Sequence, residues 1–246
     1  MRLHDRFIGA LTTGLILSGT TGWAVQPQKA PSDEGIRTQI EQWLADRSIP
    51  GVTVTVSHGV ATIEGIVVNA WVRNQACEQP RKVNGTSVNC NVAVRHGPSD
   101  VIIAYEVEGR ILDYAFYTIY DNVEIAVNHG RVTLIGEVMA DARARTIVDI
   151  AARVPGVVEV ENLLRTIVAS PRDDNIRYEI AGRIYSNPLF EYGQIPGPIH
   201  IVVENARVKL TGLVPSELER RMAEMLASGV PGVVRVESRL RCLTDE

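Results

Sequence analysis

One glycine spacing occurs three times in this chain. The glycines form pairs whose members lie twenty positions apart: Gly65 and Gly85, Gly136 and Gly156, Gly212 and Gly232. The residues before each first glycine are also alike, with VATIEG at 60–65, VTLIG at 132–136 and VKLTG at 208–212. A pattern repeated at a fixed internal spacing indicates that one small supersecondary unit has been written three times.

Each repeat predicts the same order of elements. Apolar residues first recur at helical spacing: Ile36, Ile40, Trp43 and Leu44, with Asp33 as a cap; then Ile102, Val107, Ile111, Leu112 and Ala115; then Ile176, Ile180 and Ile184. Two alternating runs follow, joined by tight turns at 57–59, 128–130 and 204–206, which indicates a β-hairpin. In the third turn Ala206 replaces the glycine, so we expect Asn205 to take the left-handed conformation there.

A second helix lies between the glycines of each pair and is clearest at residues 140–154, where Val-Pro-Gly ends it before a last strand. In the first repeat Pro80 falls inside this helix, which predicts a short or bent helix. The predicted fold class is α+β: three tandem αββαβ domains, each a three-stranded mixed sheet covered on one face by two helices. We assign residues 33–96 to repeat 1, 97–169 to repeat 2 and 170–246 to repeat 3.

The start of the chain has the pattern of a secretory signal. Arg2 and Arg6 precede an apolar stretch at 7–17, and cleavage is expected near Ala24, which leaves 25–32 as a linker. An uncleaved inner-membrane anchor is the alternative. No cysteine occurs before Cys77, so the pattern predicts a periplasmic protein that is not a lipoprotein.

Composition and motifs argue against several classes of function. The formal charge is −4, and removing residues 1–24 removes two basic residues and one acidic residue, which gives −5; such a chain does not attract nucleic acid over a distance. No phosphate-binding loop, nucleophile motif or metal-ligand spacing is recognisable, so we expect no catalysis, no cofactor and no metal. His58 and His129 share a hairpin position and are interpreted as turn residues.

Several runs resemble the BON domain, named for bacterial OsmY and nodulation proteins: residues 129–136, 139–145, 154–164, 199–212 and 230–240. The resemblance covers nearly all of the mature chain, and repeat 1 departs from it at Pro80 and Asn84. It implies a non-enzymatic periplasmic envelope protein that binds phospholipid membrane surfaces and supports envelope integrity or tolerance of osmotic and other stress. BON domains also occur on channels and secretion pores, so the alternative is a protein–protein assembly module that oligomerises or docks on an envelope complex.

Cysteines suggest one disulfide. Aligned on the glycines, Cys77 lies on the second helix of repeat 1 and Cys90 on its last strand, where the two side chains can meet between helix and sheet. In an oxidising compartment such a bond would stabilise repeat 1 by about 3 kcal/mol. Two separate buried thiols are the alternative. Cys242 is left over, which makes a disulfide-linked dimer conceivable.

Two surfaces are candidate binding sites, both in repeat 3. A glycine- and proline-rich insertion at 187–198 follows several arginines, and exposed aromatics beside basic side chains are typical of lipid-surface contact. The candidate lipid-binding residues are Arg172, Arg177, Arg183, Leu189, Phe190 and Tyr192; the alternative is that they close the core. A second basic set alternates along two strands: Arg207, Lys209, Arg235, Arg239 and Arg241. This set is expected either to be a solvated sheet face or to receive the acidic second repeat of another molecule.

Overall fold

The computed structural model of the protein describes residues 32–82, 86–168, 170–190 and 198–243. The predicted signal peptide and almost all of the linker lie outside these residues. No helix in the part of the chain that is described has the length and apolar character needed to cross a membrane.

The described residues form the same five elements in each repeat. Repeat 1 contains α1 (Asp33–Asp46), β1 (Val52–Ser57), β2 (Val60–Val67), α2 (Ala70–Glu78), a 3₁₀ turn (Pro80–Lys82) and β3 (Ser87–Val94). Repeat 2 contains α3 (Asp100–Leu112), β4 (Asn122–Asn128), β5 (Arg131–Val138), α4 (Asp141–Ala152) and β6 (Glu159–Thr166). Repeat 3 contains α5 (Pro171–Tyr185), a 3₁₀ turn (Pro188–Phe190), β7 (His200–Glu204), β8 (Arg207–Val214), α6 (Glu217–Ser228) and β9 (Arg235–Cys242).

Each repeat builds its own mixed sheet. The first two strands pair antiparallel as a hairpin and the third pairs parallel to the second, which gives the orders β1-β2-β3, β4-β5-β6 and β7-β8-β9. Each sheet contributes to a separate hydrophobic core closed by its two helices. The predicted fold class, three tandem αββαβ domains, is confirmed.

A carboxylate holds each hairpin turn onto the helix that precedes it. Asp33 accepts hydrogen bonds from the backbone N–H groups of His58 (2.9 Å) and Gly59 (2.8 Å). The cap of α1 is Ser32, so the predicted role of Asp33 as the cap is wrong, and its carboxylate serves the turn instead. Asp100 and Asp173 repeat this arrangement in the other two domains.

The central residues of all three turns have positive φ, as a two-residue hairpin with the right-handed strand twist requires. Asn205 has φ 51°, as predicted, but Ala206 also has φ 60°. The expectation that Asn205 alone takes this conformation is therefore wrong. Ala206 is held there because its N–H donates to Asp173 (2.8 Å) and its carbonyl accepts from Val234 N–H (2.9 Å).

The first glycine of each pair lies inside the second strand rather than at its end. Gly65 has φ 148° and Gly136 has φ 134°. A Cβ at Gly136 would lie 2.1 Å from the carbonyl oxygen of Asn122, so only glycine permits this approach of the neighbouring strand. The repeated glycine therefore marks a close backbone contact at the start of each hairpin.

Repeat 1 has the shortened second helix that the sequence predicts. α2 spans 9 residues where α4 spans 12, and it ends just before Pro80. Cys77 and Cys90 form a disulfide with Cα atoms 5.6 Å apart, which ties α2 to β3. The thiol of Cys242 is free but lies inside the core of repeat 3, so the dimer expected through this residue is wrong unless β9 unfolds.

Repeats 1 and 2 are joined by backbone hydrogen bonds. Gly156 N–H donates to the carbonyl of Val68 (2.9 Å), and Ala70 N–H donates to that of Val157 (2.7 Å). Ala70 is buried among the core residues of repeat 2. The segment between β2 and α2 is therefore a docking element for the next domain.

Side chains extend this contact. The Arg153 guanidinium lies 3.9 Å from the ring centroid of Trp71, a cation–π contact between the two repeats. A Cβ at Gly97 would lie 2.4 Å from the Cα of Gly156, so these two backbones are packed without room for a side chain.

Repeats 2 and 3 meet through four polar contacts. These are Ile201 N–H to the Ile119 carbonyl (2.6 Å), Thr211 Oγ1 to Asn122 Oδ1 (2.7 Å), Lys209 to Glu137 (2.5 Å) and Arg165 to Glu204 (2.9 Å). Burial opposes ionisation of Glu137, but the hydrogen bond from Lys209 outweighs it and lowers the pKa of this carboxyl. The interface is therefore built on ionised, paired groups.

Candidate functional site

The first helix of repeat 2 exposes a row of large apolar side chains. Val101 is 78 % exposed, Tyr105 76 % and Phe116 66 %, while Ile102 and Leu112 are half exposed. Val101, Tyr105 and Leu112 lie on one side of α3 because their spacing matches the helical period, and Phe116 follows in the next turn. We call these five residues the apolar stripe; between residues 101 and 112 it extends about 16 Å along the helix.

The stripe is additional to the side of α3 that closes the core. Ile103, Val107 and Ile111 are the buried residues of this helix. The sequence predicted Ile102 and Leu112 among its core residues, and that prediction is wrong by about one position at the start of the helix. Apolar residues occupy more than half of the helix circumference, so periodicity alone did not separate the buried side from the exposed side.

The corresponding helices of the other repeats present polar surfaces. On α1, Arg37 pairs with Glu34 (2.7 Å), and on α5, Arg183 pairs with Glu179 (2.7 Å). On α5 Tyr178 is exposed, but it packs edge-on against Tyr120. The stripe is therefore a property of repeat 2 and not of the repeated fold.

Acidic groups surround the stripe. Residues 100–113 contain four acidic residues and one basic residue. Glu106 pairs with Arg110 (3.3 Å), and Asp100 accepts from Gly130 N–H (2.9 Å) and His129 N–H (2.7 Å), hydrogen bonds that lower the pKa of its carboxyl. The stripe thus offers apolar contact within a negatively charged rim.

A cleft of about 790 Å³ adjoins the stripe where repeats 2 and 3 meet. α3 and the first residues of β4 form one wall, and β8 and β9 form the floor. Leu112 belongs to both the stripe and the cleft. The charged and aromatic lining residues are Glu108, Tyr117, Glu124, His200, Arg239 and Arg241; the apolar ones include Ile111, Leu112, Val123, Ile125 and Leu213.

Opposite charges line the two sides of this cleft. Glu108 and Glu124 come from repeat 2, and Arg239 and Arg241 come from repeat 3. Arg239 pairs with Glu237 (2.7 Å), which raises its pKa, and the more distant Glu124 acts in the same direction. Glu108, Glu124 and Arg241 have no ion pair within the described ranges.

A buried histidine lies at the inner end of the cleft. His200 has its ring centroid 5.5 Å from that of Tyr117, and burial lowers the pKa of its imidazole. Its Nδ1 is buried and has no hydrogen-bond partner among the residues described. Burial likewise raises the pKa of Tyr117, so both groups are uncharged at neutral pH.

The structure separates the lipid-binding residues that the sequence placed in repeat 3. Phe190 is 1 % exposed and belongs to the domain core. Arg177 is equally buried; it donates to the Val203 carbonyl (3.0 Å) and pairs with Asp174. The expectation that these two side chains are exposed is wrong, because the 3₁₀ turn after α5 folds Phe190 inward and a backbone carbonyl satisfies the arginine.

The other members of that set remain at or near the surface. Arg172 donates weakly to the Gly232 carbonyl (3.4 Å), and Arg183 donates to that of Gly229 (2.9 Å). Leu189 is partly buried against the core, and Tyr192 lies outside the described residues. A lipid contact at these positions stays a prediction.

The basic sheet face of repeat 3 already has one acidic partner, and it lies in the same chain. Lys209 binds Glu137 of repeat 2, and Arg239 and Arg241 face the cleft. Arg207 and Arg235 are neighbours across β8 and β9 and are exposed. Part of the predicted contact between this face and a second repeat is thus made within one molecule.

A family model matches the chain three times. The model is that of the BON domain, and the matched residues are 32–96, 99–167 and 172–243. The chain belongs to the BON domain family. BON domains occur in envelope and periplasmic proteins and in general are not catalytic. Among curated proteins the search found no match to the chain.

Two solved structures were also matched, both of CdsD, a structural protein of the type III secretion system of Chlamydia trachomatis. The C-terminal domain of CdsD shares 15% identity at a TM-score of 0.26, over 84% of this chain and 96% of that one. A second CdsD structure shares 15% identity at a TM-score of 0.24, over 84% of this chain and 91% of the other.

Proposed function

We propose that this BON protein is a non-catalytic envelope protein that binds phospholipid membrane surfaces through the apolar stripe of repeat 2. The observation that carries the proposal is the exposure of Val101, Tyr105 and Phe116 on one side of a single helix. A helix with an apolar side and a charged side lies in the membrane interface, and aromatic side chains are favoured at that depth. The membrane contact is thus assigned to repeat 2, and not to repeat 3.

The stripe is large enough for reversible binding. Transfer of one such side chain out of water contributes about 1 to 2 kcal/mol at these exposures. The five together supply on the order of 5 to 10 kcal/mol before the costs of association are subtracted. A peripheral protein that binds and leaves the bilayer fits this magnitude.

The acidic rim sets the lipid preference. Because the charges around the stripe are mostly negative, anionic lipids repel it, and salt screens that repulsion. We therefore expect tighter binding to zwitterionic than to anionic vesicles, and an increase with salt for the anionic ones. Binding that used arginines would show the opposite salt dependence.

Co-sedimentation with vesicles tests the proposal. The double variant Tyr105→Ser/Phe116→Ser removes two of the most exposed stripe residues and touches no core residue. We expect it to lose most of the pelleting with zwitterionic vesicles, while the matched control Tyr178→Ser, which removes an exposed tyrosine from α5, retains it. Equal pelleting of the double variant and the wild type would overturn the assignment.

Protein assembly is the second candidate, and one observation favours it: repeat 1 already docks on repeat 2 through Trp71 and Arg153. If the stripe instead contacts another copy or an envelope protein, the solution mass rises with concentration and falls in the double variant, without any dependence on vesicles. In either case we propose that the protein supports envelope integrity under osmotic or other stress. Growth of a deletion strain in high osmolarity, complemented with wild type or with the double variant, tests that role.

A further inference from the structure

We infer that the cleft between repeats 2 and 3 binds a small zwitterion that carries a primary ammonium and a phosphate ester, which is the phosphoethanolamine group. This inference deepens the proposed function, and it rests on that function only for the bilayer as the source of the ligand. The same group also occurs in soluble form, so the chemistry of the site is separable from the source. The cleft volume of about 790 Å³ lies within the range of small-molecule sites, roughly 300 to 1,000 Å³.

The two charged walls carry the inference. Arg241 is exposed and has no ion pair among the described residues, and it lies beside Arg239 on the same side of β9. A planar guanidinium presents donors that match two oxygens of a phosphate. Glu124, on the opposite wall, is likewise exposed and without an ion pair in the described chain. Since these opposite charges face one cleft without closing it, a ligand with both charges satisfies both walls.

The position of Glu108 reinforces this reading. It lies on α3 one turn before Leu112, on the side of the helix that turns from the stripe into the cleft. An ammonium bound between Glu108 and Glu124 would leave the apolar part of a lipid beside Leu112. The cleft and the stripe are therefore arranged for a headgroup and for the layer of acyl chains next to it.

The lining also favours a primary over a quaternary ammonium. Quaternary ammonium groups are held by several aromatic faces, whereas Tyr117 is the one aromatic residue besides His200 among the described residues that line the cleft. Carboxylates bind a primary ammonium through charge-assisted hydrogen bonds that a trimethylammonium group lacks. Phosphoethanolamine is therefore expected to bind better than phosphocholine.

Titration of the full chain with soluble headgroups, followed by calorimetry and by backbone amide NMR shifts at low salt, tests the inference. The probes are O-phosphoethanolamine, O-phosphocholine and inorganic phosphate. We expect the first to bind most tightly and to shift amides of β4, β8 and β9. Equal affinity for all three probes, or no binding, would overturn the inference.

Matched variants locate the site. Arg241→Gln and Glu124→Gln each remove one exposed charge and leave the fold intact, and we expect each to lower affinity by about tenfold. Arg207→Gln and Glu161→Gln remove exposed charges of the same sheets outside the cleft and serve as controls. Unchanged affinity in Arg241→Gln and Glu124→Gln would contradict the assignment.

Vesicles separate the two claims and the two sources. Soluble phosphoethanolamine that binds without any vesicle pelleting would leave the cleft standing and refute the membrane function. Pelleting that depends on the stripe but neither on soluble headgroup binding nor on phosphatidylethanolamine content would do the reverse. If phosphatidylethanolamine in place of phosphatidylcholine raises pelleting, and Arg241→Gln abolishes that increase, the lipid headgroup is the source; no increase beside tight soluble binding identifies a free ligand.

Discussion

The hairpin clamp of repeat 3 gives the sharpest test of how this fold is held together. Asp173 accepts from Asn205 N–H and Ala206 N–H at 2.8 Å each, and it is buried itself. Asp173→Ala removes both charge-assisted hydrogen bonds. The N–H of Asn205 is exposed and can turn to water, but that of Ala206 is buried and loses its partner.

The expected cost follows from these contacts. A hydrogen bond to a charged group contributes about 1.5 to 3 kcal/mol, and a buried donor left without a partner costs about 1 to 3 kcal/mol. The clamp also holds Ala206 at φ 60°, a conformation that costs a residue with a Cβ roughly 1 to 2 kcal/mol. Because water replaces part of the loss, we expect Asp173→Ala to lower the stability of repeat 3 by about 3 kcal/mol.

Amide hydrogen exchange followed by mass spectrometry measures this repeat by itself, which a melting curve of three linked domains does not. A loss of about 3 kcal/mol accelerates exchange in β7 and β8 by roughly 150-fold. Asp33→Ala is the matched control, since its carboxylate serves a turn that is open to water, and we expect a much smaller acceleration in β1 and β2. Equal effects in both variants would refute the argument that burial of the turn sets the value of the clamp.

Three further predictions concern other parts of the molecule. Because burial lowers the pKa of His200, the unfolded chain binds the extra proton first, so stability falls as the pH drops from about 6.5 through the folded pKa; melting temperatures between pH 8 and 5 should lose this component in His200→Gln. Reduction of the Cys77–Cys90 bond should lower the stability of repeat 1 by about 3 kcal/mol, and thiol labelling of the unreduced, denatured protein should find one reactive cysteine. Gly97→Ala places a Cβ 2.4 Å from the Cα of Gly156, so small-angle scattering should show repeat 1 released, with an increased radius of gyration.

The repeated architecture was predictable because it is written locally. Alternation and helical spacing place Ile176, Ile180 and Ile184 on one buried side, and all three are buried in the structure. Pro80 predicts where α2 stops, since proline cannot continue a helix. The pairing of Cys77 with Cys90 followed from aligning repeat 1 on its neighbours, which placed one cysteine on a helix and the other on the facing strand.

The candidate site was less predictable, because exposure is decided by tertiary packing. Phe190 and Phe116 are both aromatic residues that follow the first helix of a repeat, yet one is in the core and the other is exposed. No local pattern distinguishes them. The cleft depends on how two repeats meet, through contacts such as Lys209 with Glu137 that join residues 72 positions apart.

The most direct test of the membrane assignment is the depth of α3 in a bilayer. In a Cys242→Ser background that keeps the Cys77–Cys90 bond, Tyr105→Cys and Glu106→Cys each carry a nitroxide label, and spin-label power saturation reports access to oxygen and to a nickel chelate. On adding zwitterionic vesicles, the label at 105 should gain oxygen access and lose access to the chelate, while the label at 106, about a quarter turn away on the charged side, should stay exposed to water. Unchanged access at 105 in the presence of saturating vesicles would contradict the account.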